Sequence, residues 1–384
     1  MITKFSNVYA GHVDLGDMGQ LATPANERRY PNEHLATVFS KTEAIARVMD
    51  EHGFYTLWLA EHHFQHEGYE CIPNIMMVGV HLAHLTSRLR IGCGFNIAPM
   101  WHPLRLAEDF ATAEILSKGR IVFGVGRGYH TREVETFGAP MLDADANRDL
   151  FEEQVDIVMK AFNSESFSHQ GKHYTLPPAV PYRGYELREI TLVPRPIHRP
   201  VECWQPIVSA SARGLDFMVR HGIKGIIGGG AATMAEGPIH GYREAAARAG
   251  HDLKLGENLC LGIFFHLADS REKAVRELTP LYEEHVKMFA PLGFVPGIKP
   301  AQVEAAARRG GWAAAGVPSL EHFMKTGAWF AGTPEELTAY LQNLQSRFPG
   351  LQYVNVSTSI GTPEAVMLEQ LTWFAREVMP KFKG

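Results

Sequence analysis

Residues 36–64 read ATVFSKTEAIARVMDEHGFYTLWLAEHHF. The first half, Ala36–Glu51, spaces its apolar residues as an amphipathic helix does. Tyr55–Ala60 is then a short aromatic and aliphatic run of strand type that ends on Glu61, His62 and His63. Outward from it, a strand pattern at Phe5–Ala10 precedes the helix and a helix pattern at Ile75–Leu85 follows the strand. The order is βαβα, and it continues with strand Arg90–Ala98, helix Pro103–Leu116, strand Arg120–Val125 and helix Arg148–Phe162. That helix carries Leu150, Val155, Ile157, Val158 and Phe162 largely on one face. Further strands are expected at Pro206–Ala210, Ile223–Ile227, Leu259–Leu267 and Leu351–Val356, which brings the total to eight.

Helices are expected among the later strands at Gly214–His221, Pro238–Ala249, Arg271–Phe289, Thr333–Phe348 and Glu364–Met379. Thr333-Pro334-Glu335-Glu336 is a helix start, with an N-cap hydroxyl, proline in the first turn and carboxylates at the positive end of the dipole. Eight strands each followed by a helix predict an α/β fold, a (β/α)8 TIM barrel over residues 1–384 as one domain, with its site at the carboxyl ends of the strands. The competing architecture is a doubly wound sheet, which calls for a dinucleotide fingerprint near the first strand. Two insertions interrupt the rhythm. Residues 163–205 are rich in proline and aromatics and read as an ordered, irregular excursion with a hairpin across Gln170-Gly171. Residues 290–325, with Arg308-Arg309-Gly310-Gly311-Trp312, have weak periodicity and read as a long insertion that could serve as a mobile lid.

Composition narrows the partner. The chain has 384 residues, 45 % hydrophobic and 21 % charged, with a net charge of -5 and no Lys/Arg block, which argues against nucleic acid or an anionic membrane surface and for a small molecule. The amino terminus has no signal-peptide core and no apolar run is long enough to span a bilayer, so a cytoplasmic protein is expected. Cys71, Cys93, Cys203 and Cys260 lie far apart and suit reduced thiols.

Three motifs could carry chemistry. In Leu57–Phe64 a strand delivers one carboxylate and two imidazoles to its carboxyl end, where a histidine can work as acid or base near neutral pH. A satisfied polar network under a loop, or a metal held by Glu61, His62, His63 and His66, are the alternatives; no H-E-x-x-H spacing supports the metal. In Arg120–His130 a strand runs into a glycine-spaced turn, Gly126-Arg127-Gly128-Tyr129. There the backbone admits a flat ligand and Arg127 can meet a phosphate or a ring edge; a solvated arginine in a turn is the plain alternative. Gln205–Gly214 leads a strand into Ser209, Ala210, Ser211, Ala212 and Arg213 at a helix start, either a phosphate cradle or a simple N-cap by Ser211. Asn147-Arg148 could add a second cation, and Gly228-Gly229-Gly230 reads as a tight turn.

The ordered set Ala60–Phe64, Arg90–Gly92, Pro99–Asp109, Leu116–Arg120 and Phe123–Gly128 resembles the bacterial luciferase-like flavin-dependent monooxygenase family over most of the chain, most weakly in the two insertions. The resemblance implies a barrel that binds reduced FMN (FMNH2), activates O2 as a flavin C4a-peroxide and oxygenates a small organic substrate. His62 matches the family's active-site histidine, and Glu61 beside it falls among the cofactor-binding residues. Gly126, Arg127, Gly128 and Tyr129 match the segment along the flavin and its phosphate side. Ser209, Ala210, Ser211, Ala212 and Arg213 match the phosphate-binding turn, Arg148 matches a further phosphate arginine, and Gly94, Phe95 and Asn96 match the stretch behind the isoalloxazine ring. Gly126 stands where the light-emitting subunits carry a cysteine, a departure that counts against light emission. No NAD(P)H fingerprint is visible, so a separate NAD(P)H:flavin reductase is the expected partner, and the family's habit points to a homodimer. Three other readings remain open: an F₄₂₀- or FMN-dependent dehydrogenase or reductase, a non-catalytic flavin-binding protein, and a metal-dependent hydrolase.

Overall fold

The computed structural model describes residues 1–228, 232–295 and 298–382. Eight strands form the barrel: β1 (Lys4–Tyr9), β2 (Thr56–Leu59), β3 (Arg90–Cys93), β4 (Ile121–Gly126), β5 (Cys203–Pro206), β6 (Lys224–Ile227), β7 (Leu259–Leu267) and β8 (Tyr353–Ser357). Each pairs in parallel with the next, and β8 returns to β1, so the eight-stranded circuit is closed. The (β/α)8 expectation is met, and the doubly wound alternative is excluded by this closure.

Nine helices matter here: α1 (Thr37–His52), α2 (Ile75–Leu85), α3 (Pro103–Leu116), α4 (Ala144–Asn163), α5 (Ala212–Arg220), α6 (Ala232–Arg248), α7 (Arg271–Phe289), α8 (Pro334–Arg347) and α9 (Glu364–Glu377). Their apolar faces cover the outside of the barrel, as with Ile45, Ala46 and Met49 of α1. At α8 the expected cap is present: Thr333 Oγ1 accepts from the Glu336 N–H, and Glu336 Oε2 accepts from the Thr333 N–H. Among the described residues no helix is long and apolar enough to cross a membrane.

The interior of the barrel is plugged beneath the site. Trp58, Trp204 and Tyr353 meet edge to face, with ring centroids 5.6 Å and 5.1 Å apart. At the amino ends of the strands Glu202 joins Arg90 at 2.6 Å and Lys224 at 2.9 Å.

Several boundaries differ from expectation. The fifth strand is Cys203–Pro206 instead of Pro206–Ala210, because the ladder to β4 and β6 is formed by Cys203–Pro206 and the Val208–Ala210 stretch continues as loop. The third strand stops at Cys93; a cis peptide joins Gly94 to Phe95, and Asn96–Ile97 resumes pairing with β4. Helix α4 begins at Ala144, where Asp143 Oδ1 accepts from the N–H groups of Asp145 and Ala146, so Arg148 sits in its second turn. Helix α6 begins at Ala232 and contains Pro238, which was expected to start it. Residues 163–205 form two hairpins, His169–Gln170 with Thr175–Leu176 and Pro181–Tyr182 with Tyr185–Glu186. Residues 290–325 hold short helices at Pro300–Ala306, Trp312–Ala315 and Leu320–Thr326, whose Trp312, Leu320 and Phe323 pack on Leu278 and Tyr282 of α7. They lead into an unexpected strand, Trp329–Gly332, that pairs with β7 outside the barrel circuit. Gly229 and Gly230 of the expected glycine turn lie outside the described residues.

Candidate active site

A cavity of about 520 Å3 opens at the carboxyl ends of the strands, a size suited to a cofactor with a small substrate. Glu61, His62, Gly94, Phe95, Gly126 and Arg127 line it, and so do Gly128, Tyr129, Arg148, Ser209 and Ser211. Four expected residues are not on its wall. Asn96 is fully buried and donates from Nδ2 to Gly124 O at 2.9 Å. Ala210 and Ala212 flank the helix cap, and Arg213 turns outward to Asp149 and Glu152 at 2.8 Å and 2.7 Å.

One end of the cavity is built for an anion. The turn after β4 is held by Asn147, whose Nδ2 donates to Arg127 O at 3.2 Å and to Pro140 O at 2.8 Å. Gly128 has φ +82°, and a Cβ there would lie 2.5 Å from Val134 Cγ2, so glycine is required. Arg127 is drawn below its usual pKa by burial and by the Arg148 guanidinium, with Glu152 opposing and Arg213 adding to the effect. Ser211 caps α5 by accepting from the Gly214 N–H at 3.4 Å, and a Cβ on Gly214 would lie 3.4 Å from Arg148 Nη1. Two guanidiniums, a hydroxyl and a helix amino terminus therefore converge on one place.

The wall of the cavity has unmet hydrogen-bonding capacity. Gln205 Oε1, Thr358 Oγ1 and both amide atoms of Asn355 are buried without a partner among the described residues, and all three residues line the wall. A cationic, anion-binding end together with amide and hydroxyl groups along an apolar trough fits the phosphate and the polar-edged ring of FMN. Cys93 behind this trough is buried, and its thiol is pushed up to about 12 by that burial, so it stays protonated.

The other end holds His62. Its Nδ1 lies 3.2 Å from Glu133 Oε2, and its Nε2 lies 3.0 Å from the Tyr129 hydroxyl and 3.3 Å from Glu70 Oε1. Tyr129 donates to Glu70 Oε1 at 2.6 Å, and His130 Nε2 lies 2.8 Å from Glu70 Oε2. Burial works against charging His62, yet Glu70, Glu133 and Glu61 raise its pKa above the usual value. Burial alone would raise Glu133 too, but the His62 ring and the Gln65 amide hold it down to about 2. Burial and Glu70 drive the Tyr129 hydroxyl well upward, so it stays protonated.

Glu61 is already engaged: Oε2 accepts from the Ile97 N–H at 2.8 Å, and Oε1 accepts from Trp101 Nε1 at 2.9 Å and lies 3.2 Å from His63 Nε2. Glu61 thus braces the broken third strand. The His66 ring lies 3.4 Å from Glu67 Oε1. Among the described residues, the His/Glu group whose ligand atoms fall within 4.8 Å of one another is His62, Glu70 and His130, not the set weighed from sequence. Glu70, His130 and Glu133 were not singled out from the sequence.

A profile of luciferase-like monooxygenases matches residues 19–349. The chain belongs to that family. This luciferase-like chain is 28 % identical over 227 residues to the alkanal monooxygenase alpha chain of Photorhabdus luminescens, covering 56 % of this chain and 57 % of that protein. It is 27 % identical over 156 residues to the oxygenase component of flavin-dependent trigonelline monooxygenase from Acinetobacter baylyi, covering 41 % and 39 %. The match thus spans about half the length of these curated relatives. The same fold, at 18 % identity and a TM-score of 0.73 over 99 % of both chains, occurs in the oxygenating constituent of 3,6-diketocamphane monooxygenase from Pseudomonas putida, solved with FMN. It also occurs, at 16 % identity and a TM-score of 0.66 over both whole chains, in an F₄₂₀-dependent secondary alcohol dehydrogenase.

Proposed function

We propose that this protein is the oxygenase of a two-component monooxygenase, using reduced FMN from a separate NAD(P)H:flavin reductase to place one oxygen of O2 on a small organic substrate. The observation that carries the reading is the pairing, in one cavity, of an arginine-lined anion end with a buried, carboxylate-flanked histidine. Arg127, Arg148 and Ser211 would hold the phosphate, and Gln205 and Asn355 would meet the polar edge of the ring. When bound, reduced flavin supplies the two electrons with which O2 is divided between product and water. Phe264, Phe289, Leu292 and Phe294 line the remaining wall and would keep bulk water from the substrate. His62 would hand a proton to the departing oxygen. The relative described as an oxygenase component favours the separate reductase. A homodimer in the cytoplasm completes the reading.

The test supplies the protein with FMN, NADH, a flavin reductase, 18O2 and a panel of small organic compounds, and reads products by mass spectrometry. A product carrying a single 18O is expected. Oxygen uptake that yields only hydrogen peroxide with every compound would overturn the proposal. Turnover without oxygen would point instead to hydride transfer.

A further inference from the structure

We propose that Glu133 is a positioning residue that keeps His62 doubly protonated, so that the ring enters the reaction as a proton donor. The argument is one of donors and acceptors. Both oxygens of Glu133 face donors: Oε1 accepts from the His63 N–H at 3.0 Å and from Gln65 Nε2 at 2.9 Å, and Oε2 faces His62 Nδ1 at 3.2 Å. An ionised carboxylate has only lone pairs to offer, so Nδ1 must carry a hydrogen. On the other side of the ring, the Tyr129 hydroxyl spends its hydrogen on Glu70 at 2.6 Å and presents an oxygen lone pair to Nε2 at 3.0 Å. Nε2 must therefore carry a hydrogen as well, and the ring is an imidazolium.

The surroundings sustain that charge. Glu61 on the same segment, Glu70 on the following loop and Glu133 after β4 are the anionic groups facing the ring. His63, His130 and Arg132 are the cationic or potentially cationic ones; of these, His63 sits against Glu61, His130 against Glu70, and Arg132 against Glu67. Glu70 is shared among Tyr129, His130 and His62, so changing it disturbs three groups at once. Glu133 touches one ring, one backbone N–H and one amide, which makes it the cleaner lever.

The use to which the proton is put rests on the monooxygenase reading, but the protonation itself does not. Glu133→Gln keeps the shape and can still accept at Oε1, while its amide nitrogen presents a donor to Nδ1; His62 should then turn neutral, with hydrogen on Nε2 alone. The direct readout is nitrogen NMR of 15N-histidine-labelled protein without flavin, with the His62 signals assigned by their loss in His62→Gln. Wild type should show the charged ring pattern at pH 7.5. Glu133→Gln should show the neutral pattern, a fall of about one unit or more in pKa, which is a tenfold or greater loss of the charged form. Glu133→Asp, with a shorter reach, should titrate between the two and serves if the glutamine variant does not fold. In turnover, the alkaline limb of the oxygenation rate should move to lower pH with FMN affinity unchanged within about twofold. A neutral His62 in the wild type, or identical His62 titration in wild type and both variants, overturns the inference. If oxygenation fails while the NMR result holds, the functional reading falls and this one stands.

Discussion

Arg127→Ala probes the anion end of the cavity, because the fold gains little from this side chain. Among the described residues its guanidinium makes a single protein hydrogen bond, 3.3 Å long, to Asn147 Oδ1, while Arg148 and Arg213 repel it. A bond of that kind contributes about 0.5–1.5 kcal/mol at most, and relief of the repulsion offsets part of it. The melting temperature should therefore move by no more than about 2 °C. Binding of reduced FMN is a different matter. A charge-assisted hydrogen bond to phosphate is worth about 1.5–3 kcal/mol, and each 1.4 kcal/mol is tenfold, so affinity should fall by about 10- to 150-fold. Anaerobic titration followed by flavin absorbance measures this, with thermal melts run beside it. Arg127→Lys keeps the charge but loses the planar fork and should fall between. Affinity within about threefold of wild type in a folded Arg127→Ala protein would refute the phosphate assignment, as would a loss that merely tracks unfolding.

Three further outcomes follow from the structure. Glu202 is held down to about 2 in the fold against an ordinary 4.5, burial being outweighed by Arg90 and Lys224. Its pairing thus stabilises the protein above pH 4.5 and the benefit fades as pH falls towards 2. Thermal melts across that window should show a flatter acid limb, and a lower melting temperature at neutral pH, for Glu202→Gln. Gly124→Ala would put a Cβ 2.0 Å from the carbonyl oxygen of Cys93, a backbone atom that cannot step aside, so a loss of about 3 kcal/mol or more by denaturant unfolding is expected. His285 is pushed down to about 3 by burial among Phe264, Phe289 and Trp329, and its Nδ1 has no partner among the described residues. Replacing it with Phe should leave the melting temperature unchanged or raise it by about 1–3 °C, as removal of an unpaired polar atom does.

The parts of the fold that were legible are those where local pattern and tertiary role agree. Helices α2 and α3 end where their apolar periodicity ends, and the cap at Thr333 was readable because its donors and acceptors lie three residues apart. The fifth strand was misplaced because Ile207-Val208 is more strand-like than Cys203-Trp204-Gln205, while pairing with β4 selects the latter. Trp329–Gly332 was missed because four residues containing Ala331 and Gly332 carry no alternation, and only the partner strand β7 makes them extended. At the site, His62 announced itself beside a strand end. Its partners did not: Glu70 lies in an aperiodic loop, and Glu133 reaches it across 71 positions of sequence. Arg213 was read as a phosphate ligand from its neighbours, whereas Asp149 and Glu152 on α4 claim it. Those pairings depend on the helix arrangement, which no single segment encodes.

The most direct test of the cavity as a reduced-flavin site is an anaerobic titration of the purified protein with reduced FMN, repeated with reduced riboflavin and with reduced F₄₂₀. One equivalent of reduced FMN per chain is expected, bound more than about tenfold more tightly than reduced riboflavin, which lacks the phosphate proposed to meet Arg127 and Arg148. Equal affinity for riboflavin, or preference for F₄₂₀, would contradict it.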